Sequence, residues 1–227
     1  MNKQEKTAQQ NTNNVIITPA MNVITPGVRK YVSTIVGICG VDYCMLIADG
    51  LRVTDGEDGR KVHEDEDFAK IFKINDCVLF GATGTFFKGE SLLDPLTQET
   101  SKEVSCFEDA ESNILKYIAN NIPAIIDKQR TYYLGGKRKD GKYYIYSYRF
   151  DIQKEKIVSN VFTPGDNIGV AQMIALPYDL LMFKDRYNYA VTGAIAEAKN
   201  IYEMYENIKV VIKDMALHSE VINDNIR

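Results

Sequence analysis

The sequence predicts an α+β chain arranged as a four-layer αββα sandwich. Three observations point there. Four strand-like segments come first, then a helix, then three more strands, then helices. The strand segments are nearly continuous apolar runs, so both faces of each sheet need cover. Apolar residues at helical spacing appear between and after the strand sets, which supplies that cover as helices outside two stacked sheets.

The segment 33–39 (STIVGIC) is β-branched and apolar, and 43–49 (YCMLIAD) is a second such run. Gly40-Val41-Asp42 joins them, which predicts a buried hairpin. The stretch 50–67 is charged, holds Gly56 and Gly59, and is expected to be an exposed loop. A second strand pair covers 70–75 (KIFKIN) and 77–84 (CVLFGATG), turning at Asn75-Asp76. Ser105 and Glu108 have capping-box spacing, and Phe107, Ala110, Ile114, Leu115 and Ile118 then recur at helical intervals. Strands follow at 131–136, 142–151 and 156–163, the first two joined by Asp140-Gly141, a hairpin signal. The segment 169–176 reads as a helix ending before Pro177. A long helix is expected from Tyr189, with Ala194, Ile195, Ala198, Ile201, Tyr202 and Tyr205 on one face. From Met215 the tail reads as a short strand or a loose end.

Composition narrows the function classes. At 227 residues the chain is long enough for a core without staples. A net charge of −4 argues against a nucleic-acid surface, and Lys137-Arg138-Lys139 reads as a solvated hairpin turn. The apolar runs fall far short of the roughly 20 residues that span a bilayer. The first 14 residues are polar, read as disordered, and lack the apolar centre of a signal peptide. The expected location is the cytoplasm. Cys39, Cys44, Cys77 and Cys106 form no CxxC pair and read as buried free thiols. His63 and His218 have no cysteine nearby, which argues against zinc. The near-repeat VIITP and VITPG precedes Ser33 and suggests two extended segments broken by proline. Residues 1–32 are therefore expected to be a leader, propeptide or arm, and 33–227 the folded domain.

The body resembles a proteasome β-type subunit, and the bacterial proteasome-like peptidase that works with an unfolding ATPase. The matching residues are Ser33-Thr34-Ile35-Val36-Gly37-Ile38, Ile47-Ala48-Asp49-Gly50, Lys70-Ile71-Phe72-Lys73-Ile74-Asn75 and Gly81-Ala82-Thr83-Gly84. Leu134-Gly135-Gly136 with 143–148, and Ala198-Lys199-Asn200-Ile201 with Tyr205 and Asn207, extend it more weakly. The resemblance implies the N-terminal-nucleophile (Ntn) hydrolase fold. It implies peptide-bond hydrolysis inside a ring of self-associated subunits, on polypeptide delivered by an ATPase unfoldase, with no cofactor and no metal. It assigns Ser33 as nucleophile, Asp49 and Lys70 as its buried charge pair, and Gly84 as oxyanion donor.

Such chemistry has one strict requirement. A hydroxyl needs a base, and in Ntn enzymes the base is the free α-amino group of the same residue. That group exists only after the Val32–Ser33 bond is cut. Each residue also has an ordinary role: a Ser-Thr pair opens many strands, an aspartate after a strand is often a turn residue, and a lysine can be a sheet-edge charge. Three departures from the family pattern matter. Val32 stands where active subunits usually have glycine, Ser33 stands where threonine is usual, and Gly165-Asp166-Asn167 lacks the usual serine. These keep two other readings open. One is a non-catalytic structural or regulatory subunit of a homo-oligomer. The other is an Ntn amidohydrolase acting on a small amide. Spacing favours Ser33 over Thr34.

Overall fold

The computed structural model describes residues 33–55, 61–65, 67–86, 90–97, 104–164 and 169–227. The leader and the Gly165-Asp166-Asn167 segment lie outside them. Among the described residues, two antiparallel sheets and a separate hairpin are formed.

The first sheet is built on β1 (Ile35–Gly40). It pairs on one side with β2 (Cys44–Ala48) and on the other with Val170–Ala175. The segment read as a helix at 169–176 is thus a strand. Its few apolar residues fit either period, and antiparallel pairing with β1 decides the matter. A hairpin, β3 (Arg52–Asp55) and β4 (Lys61–Asp65), occupies much of the stretch expected to be a loop. The second sheet runs in chain order: β5 (Ile71–Asn75), β6 (Val78–Thr83), β7 (Thr131–Lys137), β8 (Tyr143–Asp151) and β9 (Lys156–Phe162). Val170–Ala175 is β10.

Three apolar clusters define four layers. Ile35, Cys39, Leu46, Ala48, Tyr133, Ile145 and Met173 fill the space between the sheets. On the outer face of the first sheet, Val36, Ile38 and Ile47 pack against Val191, Ile208 and Ile212. The helices are α1 (Asp94–Thr97), α2 (Phe107–Asn120), α3 (Ile122–Asp127), α4 (Lys184–Glu197) and α5 (Ile201–Ala216), and these helical residues belong to the last two. On the outer face of the second sheet, Phe80, Tyr132 and Leu134 meet Ile114 and Ile118 of α2. Strand β1 shows why this sequence chooses the sandwich. Its alternate residues face opposite layers, and all six are buried.

Several local readings are corrected. The expected helix from Tyr189 is two helices, because the chain turns extended at Ala198 and restarts with Asn200 as N-cap, whose side chain accepts from Glu203 N–H at 2.9 Å. Ile201 and Tyr202 are consequently exposed, and α5 buries Met204, Ile208, Ile212 and Met215 instead. At the start of α2, Ser105 Oγ donates to Asp109 at 2.5 Å, while Glu108 accepts from Lys139 N–H. The N-cap is Cys106, which makes no side-chain cap bond, so the capping box that the spacing suggested is not formed and Asp109 holds Ser105 instead. Arg138 lies against Phe107, Tyr144 and Tyr146 and pairs with Glu108 and Glu111, so that basic turn docks α2. Cys39 is buried and Cys77 exposed, so the thiols do not share one environment. Among the described residues no helix is long and apolar enough to cross a membrane.

Gly136 is the tightest point of the second sheet. Its φ is +151°, and a Cβ there would sit 1.9 Å from the Cys77 carbonyl oxygen. Gly136→Ala is expected to lower stability by about 3 kcal/mol or more, read as a lower urea midpoint. An unchanged midpoint would contradict this packing.

Candidate functional site

The site is built around one carboxylate. Asp49 follows β2 in the first sheet, and its side chain is fully buried. Lys70 stands one residue before β5 in the second sheet, with its side chain only 4% exposed. The two sheets meet through this pair: Lys70 Nζ lies 2.7 Å from Asp49 Oδ2. Asp49 also accepts from Leu51 N–H at 3.1 Å and, through its other oxygen, from Thr34 N–H at 3.0 Å. A buried carboxylate needs such donors, because each lost partner leaves charge unsolvated. Burial pushes the Lys70 ammonium below the usual lysine range, and the Asp49 charge and hydrogen bond oppose that shift.

The backbone around Asp49 is fixed from the far end of the chain. Ala48 exchanges two hydrogen bonds with Arg227, at 2.9 and 3.0 Å. Asn223 Oδ1 accepts from Gly50 N–H at 3.0 Å, and Phe68 N–H donates to Gly50 C=O at 2.7 Å. Asp67 pairs with Arg227 and accepts from Asn225. The tail read as a short strand or loose end thus bridges to Asp49 at Ile226. Nothing in its sequence signalled this docking.

Ser33 stands half-buried just before β1, directly attached to Thr34. Thr34 is fully buried, and its hydroxyl points to Met215 Sδ of α5 at 3.9 Å. Side chains alternate along an extended chain, so Ser33 shares the side of Ile35, which packs between the sheets. The place where a Gly81 side chain would begin lies 3.4 Å from both Ile35 Cδ1 and the Lys70 carbonyl, so the Lys70 backbone borders the same layer.

Gly84 closes β6. The Lys70 carbonyl accepts from Ala82 N–H at 3.2 Å, which brings the end of β6 alongside the start of β5. Gly84 has φ +114°, and a Cβ there would meet Lys128 O, Arg130 Cα and Gln129 O at 2.8–2.9 Å. Only glycine fits this backbone. Thus Asp49 and Lys70 touch, Ser33 is joined to them through Thr34, and Gly84 is brought alongside by the β5–β6 ladder.

The sequence model of the proteasome subunit family matches residues 30–148, more than half of the chain. The chain belongs to the proteasome subunit family. No curated protein matches it. Among solved structures, eukaryotic HslV from Trypanosoma brucei is similar, with 17% identity and a TM-score of 0.52 over 86% of this chain and 96% of that one. At that identity the likeness is one of fold, and the fold is the proteasome-like Ntn-hydrolase sandwich.

The buried pair gives a direct test. Asp49→Asn leaves Lys70 charged and uncompensated, and is expected to cost about 3–5 kcal/mol in urea unfolding. In a Lys70→Met background the same change should cost no more than about 1 kcal/mol. Equal costs in both backgrounds would contradict the pairing.

Proposed function

We propose that this chain is a peptidase subunit in which Ser33 is the nucleophile and its own α-amino group is the base. One observation carries the reading: Asp49 accepts both from the residue next to Ser33 and from the buried Lys70 ammonium. A single carboxylate thereby fixes the nucleophile strand and the cation in one frame.

The chemistry follows from these positions. The free Ser33 amine, with an ordinary pKa of about 7.7–8.0, takes the hydroxyl proton. Oγ attacks the peptide carbonyl carbon, and the carbonyl electrons move to oxygen. Gly84 N–H donates to that oxyanion, a contact of a kind whose loss costs about 3–4 kcal/mol of barrier. The Lys70 charge favours the deprotonated attacking group. The amine product leaves with the proton, and water then hydrolyses the Ser33 ester. Thr34 is poorly placed to replace Ser33, since its buried hydroxyl is directed at Met215. This mechanism needs Val32–Ser33 cleaved, which makes residues 1–32 a propeptide. The family membership supports assembly into rings, an ATPase unfoldase as partner, unfolded polypeptide as substrate and a cytoplasmic location.

The second reading is a non-catalytic subunit of the same fold. Val32 before Ser33 and the missing serine at Gly165-Asp166-Asn167 favour it. Turnover of an N-blocked tripeptide aminocoumarin separates the two. Ser33→Ala should remove it by more than about a thousandfold while leaving the assembly size unchanged. Loss in Thr34→Ala with full activity in Ser33→Ala would shift the nucleophile by one residue and sink the assignment.

A further inference from the structure

The oxyanion donor proposed above belongs to a turn, and turns need something to hold them. The segment after β6 is pressed against the corner between α3 and β7. That corner is itself rigid: Lys128, Gln129 and Arg130 donate their N–H groups to Ala124, Ile126 and Ile125 carbonyls, and Gln129 takes φ +49°. Gly84 lies on it so closely that no side chain fits between.

Both backbone groups of the next residue are held there. Thr85 N–H donates to Lys128 C=O at 2.9 Å, and Thr85 C=O accepts from Arg130 Nε at 3.1 Å. The rest of the guanidinium is engaged too. Its Cζ sits 4.3 Å from the Phe86 ring centre, and Nη2 pairs with Glu90, which also pairs with Lys128. The Arg130 side chain is 3% exposed, so these contacts act in a dry setting where they are strong. One planar group therefore fastens a carbonyl, a ring and a carboxylate from residues 85, 86 and 90. A lysine ammonium has no fork or flat face with which to hold all three.

We propose that Arg130, anchored by Glu90, is a positioning residue that aims the Gly84 N–H. The inference rests on the reading of Gly84 as oxyanion donor. Thr83 is fixed in the β6–β7 ladder opposite Thr131, and Thr85 is fixed by the clamp. The peptide between them has no freedom left while both hold. Release of the Thr85 side lets the Gly84 N–H swing away from the developing charge, and glycine puts little resistance in its path.

The test compares the full chain as wild type, Arg130→Lys and Glu90→Gln. Amide hydrogen exchange is read at 84–86 and along β6 and β7, alongside kcat and KM for the N-blocked tripeptide aminocoumarin. Glu90→Gln leaves the buried arginine in place and covers a failure of Arg130→Lys to fold. Exchange at 84–86 should rise about tenfold or more, with β6 and β7 at wild-type rates. The kcat should fall about 10–100-fold with KM within about twofold. A purely structural arginine would instead loosen β6 and β7 together and leave kcat of the folded molecules alone. Wild-type exchange at 84–86 in both variants overturns the clamp, and faster exchange with wild-type kcat overturns its positioning role. A wild-type chain with no turnover rejects the peptidase reading instead, and the exchange result then decides the clamp by itself.

Discussion

The buried Asp49–Lys70 pair is the constraint on which the rest of the site depends. It joins the end of a strand in one sheet to the start of a strand in the other, at 2.7 Å. Two charges without water are tolerable only when each is neutralised and hydrogen-bonded. Asp49 meets that condition by drawing in Thr34 and Leu51 as well as Lys70. The electrostatic need of one carboxylate thus sets where the chain begins β1 and where β5 lies. Ser33, attached to Thr34, inherits its place from that arrangement.

Two further elements hold this frame from outside. The 223–227 segment ties down the backbone on both sides of Asp49, through Asn223 at Gly50 and Arg227 at Ala48. The corner at 128–130 does the same for the turn that carries Gly84. Both are remote in sequence from what they hold. The order of cause runs from the charge pair, to the strands it fixes, to the peptide groups whose direction a reaction would use.

The sandwich, and the meeting of Asp49 with Lys70, were legible because these residues adjoin β2 and β5, whose apolar runs and spacing, like those of β1 and β6, are local signals. The misreadings have local causes as well. The run 169–176 is too short for its period to separate strand from helix, and its pairing with β1 is invisible in sequence. The charged stretch 50–67 looked like a loop, but β3 and β4 need only each other to form a hairpin. The long final helix divides at Asn200, a capping residue inside an otherwise helical pattern. Arg130, Glu90, Asn223 and Arg227 carried no motif. Arg130, Asn223 and Arg227 act on distant backbone groups and Glu90 on the side chains of Lys128 and Arg130, and no spacing rule reports such contacts.

A Ser33 nucleophile needs a free α-amino group, so the deciding measurement is the intact mass and N-terminal sequence of the natively expressed protein. The expected result is a chain that begins at Ser33, with the Val32–Ser33 bond cut. A chain that still carries residues 1–32 has no amine at Ser33, and would contradict the peptidase mechanism in favour of a non-catalytic subunit of the same fold.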